Sequence, residues 1–258
     1  MVTPISTPQL PGTADEARQR IAENWNGVCR DVAQAAADAG RTPSEVRIVG
    51  VSKYVDAEIT SWLVEAGCRD LGENRPQALD QKVHWFAEHR QDLVEGLHWH
   101  QIGHLQRNKV RRLLAASPWI HSIDSERLLV EVADHAQRRG DQVDVLIEVN
   151  VSDEDAKTGL PAAELTKLVE RFLAQQPASS APSGVRIAGL MAMAGWGTDP
   201  QQARPQFARL RELRDALAQQ TGLVLPELSM GMSGDYAAAI AEGATMVRIG
   251  SRLFAGLL

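Results

Sequence analysis

The chain reads as one α/β domain, a parallel (β/α)8 barrel with an extra N-terminal helix, because short β-rich runs alternate with helix-period segments along its 258 residues. Size is a second observation, since a closed eight-stranded barrel takes about 250 residues as one unit. A third is that no change of composition divides the chain. Its loosest stretch, AQQPASSAPSG over 174–184, only joins a helix to a strand. A doubly wound open sheet would alternate in the same way, but eight consecutive units favour closure. The barrel is expected over 14–258, behind a disordered leader over 1–13.

The first element is a helix over 14–39, where Ile21, Trp25, Val28, Val32 and Ala36 recur at three- and four-residue steps before Gly40 stops it. Strands are predicted at 46–52, 68–73, 97–103, 119–124, 142–150, 185–191, 227–232 and 245–250. The helix-period segments between them are 56–66, 75–90, 105–115, 125–139, 161–175, 200–220 and 235–242. Only SRLFAGLL, which opens as a short helix, follows the last strand. The leading helix is therefore expected to occupy the place of a missing eighth one.

Composition narrows the function classes. The apolar fraction is 44% and the charged fraction 23%, as in an ordinary soluble domain with a sizeable core. A net charge of -6, from 33 acidic against 27 basic residues, argues against nucleic acid as the main partner. The basic run QRNKVRR at 106–112 is read as a solvated helix face. Cys29 and Cys68 show no metal spacing, which places the chain in a reducing compartment, the cytoplasm. The N-terminus lacks the basic start and apolar centre of a secretory signal, and no window reaches the apolar length of a membrane span.

In such barrels the chemistry lies at the C-terminal ends of the strands, so residues that break the apolar pattern there are the candidates. Lys53 follows the first strand immediately. A lysine after a core strand is usually a solvated loop residue. At a barrel mouth an amine is half withdrawn from water, which favours its free-base form and attack on a carbonyl. That is the requirement for a Schiff base with a carbonyl substrate or with pyridoxal phosphate. A phosphate needs its own anion site, and the last two strands end in Gly231, Ser233 and Gly234 and in Gly250 and Ser251. Glycine lets backbone approach a ligand, and the loops after strands seven and eight commonly hold phosphate in this architecture. Arg248, between Val247 and Ile249, interrupts an apolar strand and is expected to point into the barrel. It would make an ion pair with an acid such as Glu73, or donate to a cofactor ring nitrogen, keeping that ring a weak electron sink.

The segments VGVSK, LGEN (71–74), WHQIGHLQRNK (99–109), HSID (121–124), VNVSDEDAKTGL (149–160), GLMAM (189–193) and LSMGMSGDYAAAIAEGATMVRIGSRLFAG (228–256) stand in this order. Together they resemble the pyridoxal phosphate homeostasis protein family over nearly the whole chain after residue 14. The resemblance implies a fold-type III barrel similar to the N-terminal domain of alanine racemase, with pyridoxal 5'-phosphate held as an internal aldimine on Lys53. It also implies that Ser233, Gly234, Gly250 and Ser251 hold the phosphate, that Arg248 faces the ring nitrogen and that Asn74 lies beside the cofactor. Lys157 matches a second family lysine linked to cofactor handling. PLP-dependent apo-enzymes are the implied recipients, and a monomer is expected. The sequence departs from the family at YVD (54–56), where Thr-x-Pro is usual after the first lysine residue. It departs again at RPQ (75–77), where an aromatic and a valine are usual.

Rival readings attach to other residues. His98, His100 and His104 suggest a metal, but no cluster of Asp, Glu or Cys accompanies them, and they are read as barrel histidines. Met191, Met193 and Trp196 are read as core packing and loop. A racemase needs a base on each face of the cofactor, and the chain has only Tyr54 and Tyr236 as tyrosines. A carrier of pyridoxal phosphate with little or no turnover is therefore preferred to a racemase-like enzyme or a cofactor-free Schiff-base aldolase.

Overall fold

The computed structural model describes residues 12–152, 158–175, 184–195 and 199–257. Most of the expected leader (1–11), together with Lys157 and Trp196, lies outside the described residues. In chain order the elements are α1 (Ala14–Asp38), β1 (Arg47–Val51), α2 (Ala57–Glu65), β2 (Asp70–Glu73), α3 (Pro76–His89) and β3 (His98–Gln101). Then come α4 (Val110–Leu113), β4 (Trp119–Ile123), α5 (Glu126–Arg139), β5 (Val143–Asn150) and β6 (Leu160–Pro161). The chain finishes with α6 (Leu165–Gln175), β7 (Val185–Met191), α7 (Pro200–Thr221), β8 (Glu227–Met232), α8 (Tyr236–Ala241) and β9 (Met246–Ile249).

Eight of these strands close a parallel barrel in the order β1-β2-β3-β4-β5-β7-β8-β9. The last strand returns to the first, pairing Val49 with Arg248 and Gly50 with Ile249. The two-residue β6 only extends the end of β5, through Val149 and Leu160. The main core lies between barrel and helices, as the near-continuous apolar strands require. A small separate apolar cluster is formed by Leu146, Ala188 and Met191 with Trp119 packed against them. The predicted barrel is thus the observed one, with all eight strand positions recovered.

The apolar repeat of α1 acts as expected, and a cap the sequence reading did not include starts the helix. Thr13 and Glu16 form a reciprocal capping box, and Ile21, Trp25, Val28, Val32 and Ala36 are buried. The helix packs against both α2 and α8, closing the outer ring where an eighth crossover helix would lie. The Asn24 amide donates to the carbonyls of Leu253 and Ala255, both at 3.1 Å, tying the first helix to the last turns.

Two local expectations are corrected. The segment 105–115 is not one helix: 3₁₀ turns at Arg107–Lys109 and Leu114–Ala116 flank the single α turn of α4. The change in winding lets the adjacent Leu113 and Leu114 both bury fully. The basic run there is largely solvent-facing, with Arg112 paired to Asp80 of α3. After Gly250 the chain forms successive turns rather than a short helix, with Leu253 N–H donating to Gly250 O and Leu257 N–H to Phe254 O. Gly256, at φ +81°, breaks any helix while Leu253, Phe254 and Leu257 turn inward. Among the described residues no helix is long and apolar enough to cross a membrane.

If α1 serves as the eighth helix of the ring, Ile21→Ala should lower unfolding free energy by about 2–5 kcal/mol. Urea denaturation should show this as a lower midpoint at unchanged slope.

Candidate functional site

At the C-terminal end of the barrel a cavity of about 450 Å³ is lined by Lys53, Asn74, Ser233, Gly234, Arg248, Gly250 and Ser251. These seven candidate residues from the sequence therefore meet in one place, while Lys157 lies outside the described residues. Tyr54, His104, Glu148, Thr158, Met193 and Met232 complete much of the wall.

Lys53 enters from the turn after β1, half-buried, with its Nζ 4.8 Å from the centre of the Tyr54 ring. Tyr54 is exposed at the rim, Val55 is buried, and Asp56 caps α2 by accepting the Ile59 N–H at 2.9 Å. The unusual YVD thus contributes a rim aromatic, a core contact and a helix cap. In the second departure Arg75 is the N-cap position of α3 and Pro76 its first residue, where a missing N–H costs nothing.

Beneath Lys53 and Asn74 lies a buried ion pair that sequence reasoning missed. Lys82 of α3 is 3% exposed and donates to Glu73, to Ser52 O (2.8 Å) and to Ser52 Oγ (2.9 Å). Ser52 Oγ in turn donates to Glu73 Oε1 at 2.9 Å. Burial lowers the Lys82 ammonium below the ordinary lysine range, and Glu73 opposes that shift. Ser52 precedes Lys53 and Glu73 precedes Asn74, so α3 holds together the two strand ends that present both residues. Asn74 is also fixed by β3. Gln101 Nε2 donates to its carbonyl at 3.3 Å, and a Cβ on Gly103 would lie 2.4 Å from that same oxygen.

Arg248 lies inside the barrel, as its place in β9 predicts, but not in an ion pair with Glu73, which belongs to Lys82. Its Nη1 donates to Ser229 O and Oγ, both at 2.7 Å, and its Nη2 to Ala192 O at 2.9 Å. Three of its five N–H donors are so engaged, leaving Nε–H and one Nη2–H. Desolvation lowers the guanidinium to about 10, with Asp235 and Glu148 opposing, so it stays cationic at neutral pH.

The turns after β8 and β9 are tied together by Gly250 N–H donating to Ser233 Oγ at 3.3 Å. Asp235 accepts the Met232 N–H at 2.5 Å and stands at the N-cap position of α8. A Cβ on Gly234 would enter open space with nothing within 4 Å, so bare backbone is presented there.

The histidines separate. His98 and His100 both approach Asp70, at 3.5 and 3.0 Å, while His104 pairs with Asp124 at 3.1 Å and faces the cavity. Met193, in the loop after β7 ends at Met191, is 41% exposed and stands on the cavity wall. Glu148 also escaped the sequence reading, although a charged residue near the end of apolar β5 is the signal that singled out Arg248. It is 4% exposed, accepts from Thr158 Oγ1 at 2.7 Å, and is raised above the ordinary glutamate range by burial.

Residues 39–257 match the family model described as alanine racemase, N-terminal domain. The chain is 39% identical to the pyridoxal phosphate homeostasis protein of Aquifex aeolicus over 232 residues, 90% of this chain and 96% of that one. The chain belongs to the pyridoxal phosphate homeostasis protein family. The Escherichia coli (strain K12) member of the family is 37% identical, over 91% of this chain and 95% of its own length. Among solved structures, PipY of Synechococcus elongatus PCC7942, determined with PLP bound, superposes with a TM-score of 0.74 at 33% identity. That match covers 86% of this chain and 99% of PipY. An alanine racemase from Corynebacterium glutamicum, at 14% identity and a TM-score of 0.64, shares the fold.

Two outcomes test the site's electrostatics. Lys82→Met strands a buried carboxylate and should cost about 3–5 kcal/mol in urea denaturation, whereas Lys82→Met with Glu73→Leu should recover most of it. Glu148 holds its proton more tightly folded than unfolded. Its stabilising contribution is therefore present below the unfolded pKa of about 4.3 and lost as pH rises through the raised folded value. Glu148→Gln should thus gain stability relative to the parent between about pH 4 and pH 8, measured by urea midpoints at each pH.

Proposed function

We propose that the protein binds pyridoxal 5'-phosphate, carries and stores it on Lys53, and takes part in intracellular pyridoxal phosphate (vitamin B6) homeostasis without substantial catalysis. The observation that carries this reading is the meeting of the Lys53 amine, the Arg248 guanidinium and the paired turns at 233–234 and 250–251 around one cavity. The donor set suits the ligand. Two cations and two hydroxyls match a phosphate and an aromatic aldehyde, and the open space at Gly234 admits phosphate oxygens to bare backbone.

In this reading Ser233, Gly234, Gly250 and Ser251 hold the phosphate, Arg248 donates to the ring nitrogen, and Asn74 lies beside the ring. The cofactor supplies an electrophilic aldehyde. Lys53 would hold the cofactor through its amine, the nucleophile suited to that carbonyl. Arg248, anchored on two carbonyls and a hydroxyl, donates without giving up a proton, which leaves the ring a weak electron sink. That supports a carrier over a catalyst. So does the placement of the tyrosines: Tyr54 stands at the rim beside Lys53, while Tyr236 OH accepts from Arg252 Nη1 at 2.9 Å. PLP-dependent apo-enzymes are the recipients in this proposal, and the two free cysteines support a cytoplasmic setting.

The purified protein should be yellow, with near-visible absorbance that borohydride bleaches, and peptide mapping should then place the adduct on Lys53. A Lys53→Ala protein equally yellow after dialysis, or an adduct elsewhere, would overturn the assignment. A colourless protein that forms a carbonyl adduct on Lys53 would instead indicate a cofactor-free aldolase. Replacing Ser233 and Ser251 by aspartate should abolish cofactor retention through like-charge repulsion. Alanine racemisation should stay far below the roughly 1 s⁻¹ of an ordinary enzyme, and a rate at or above that value would establish a racemase.

A further inference from the structure

A chain of side chains runs through the barrel interior from the cavity floor to the opposite mouth. Arg248 Nη1 lies 2.7 Å from Ser229 Oγ, which lies 2.9 Å from His121 Nδ1. His121 Nε2 lies 2.9 Å from His100 Nδ1, and His100 Nε2 lies 3.0 Å from Asp70 Oδ1. Ser229, His121 and His100 are fully buried and Arg248 is 4% exposed. Asp70 opens β2 at the far end, where Arg47 (3.7 Å) and the exposed His98 (3.5 Å) approach it.

Chemistry fixes the direction of every link. A guanidinium only donates and an ionised carboxylate only accepts. At the far end His100 must therefore donate through Nε2, which leaves its Nδ1 to accept from His121 Nε2. His121 Nδ1 then accepts from the Ser229 hydroxyl, whose oxygen is already accepting from Arg248. Arg248 at the other end is compatible with this order, since its donation to Ser229 Oγ leaves the hydroxyl proton free for His121 Nδ1, so no donor meets a donor and no ring nitrogen is left over. Both histidines are neutral with the proton on Nε2. Burial supports this, holding His100 below and His121 well below the ordinary histidine range. His100, Arg248 and Arg47 are the charged or titratable groups acting on His121. Asp70, Arg47 and His98 act on His100, whose ring also stacks on Trp119 at 6.1 Å.

We propose that His100 and His121 are positioning residues for Arg248, forming a relay of single polarity that fixes its orientation and couples its donor strength to Asp70 at the opposite mouth. Aligned hydrogen bonds polarise one another in a low-dielectric interior, so the Asp70 carboxylate strengthens each donor behind it as far as Ser229. The relay holds the guanidinium plane on Ser229 and Ala192, and the remaining N–H groups keep one direction. This inference rests on the reading of Arg248 as the donor to the cofactor ring.

The test uses the full-length protein in two arms. In cofactor-free protein, ¹⁵N NMR of the imidazoles should find both histidines neutral, protonated on Nε2, and unchanged between about pH 6 and 8.5. A titrating ring, or a proton on Nδ1, overturns the relay itself. In the second arm pyridoxal phosphate is titrated into His121→Phe and His121→Gln. The phenylalanine strands the Ser229 hydroxyl and His100 Nδ1, whereas glutamine keeps an acceptor at one end and a donor at the other. His121→Phe should shift the absorbance band and weaken binding about tenfold, and His121→Gln should stay within about twofold of the parent. Equal losses in both, or an unshifted band in His121→Phe, overturn the positioning role. Arg248→Met with parental band and affinity removes Arg248 from the cofactor, and its positioning residues with it. The NMR arm decides the relay separately and needs no variant to fold.

Discussion

Everything at the site depends on the parallel pairing of the last strand with the first. Lys53 and Ser251 come from opposite ends of the chain, and only the β1–β9 ladder makes them neighbours. Register matters as much as pairing. Val49 opposite Arg248 and Gly50 opposite Ile249 bring the turn that carries Lys53 and the turn that carries Gly250 and Ser251 out of the barrel side by side. A one-residue slip would send Arg248 out towards the helices, because strand side chains alternate between faces. The outer ring supports the ladder, with α1 packed between α2 and α8 and Asn24 holding the turns after β9.

The barrel places cations below its mouth, and each is held by a different means. Arg248 rests on carbonyls and a hydroxyl, so its charge remains available to the cavity. Lys82 sits between barrel and helix, neutralised by Glu73, and acts on the backbone of Ser52. Burying such charges costs several kcal/mol each unless every donor finds a partner. Hydrophobic residues would fill either place at lower cost, but they would not fix the direction of a guanidinium or join two strand ends by directed bonds. The polar interior is thus a means of positioning, set within an apolar shell that supplies the stability.

Carrying a reactive aldehyde requires a site that binds firmly and assists little. The cavity offers backbone and hydroxyls at the paired turns, the Arg248 guanidinium and Tyr54 beside the lysine, and under the proposed function these would hold the phosphate and the ring nitrogen while assisting little. Glu148 adds to the cavity wall a carboxyl that burial raises above the ordinary glutamate range.

Strand positions, the leading helix and the candidate residues were legible in the sequence because barrel strands are apolar throughout and the exceptions stand out. Lys53, Arg248 and the Gly-Ser turns each break a local pattern, and they meet where strand-end logic places them. Sequence also determined the architecture, since alternating strands and helices of this number leave few ways to bury their faces. The tertiary structure alone decided the partners. Lys82 is an ordinary helix lysine by spacing, and His100 and His121 are ordinary strand histidines, until folding places Glu73, Ser229 and Asp70 beside them. The division has a physical cause: periodicity records which face of an element is buried, whereas a hydrogen bond between distant strands depends on register, tilt and closure, which no local pattern encodes.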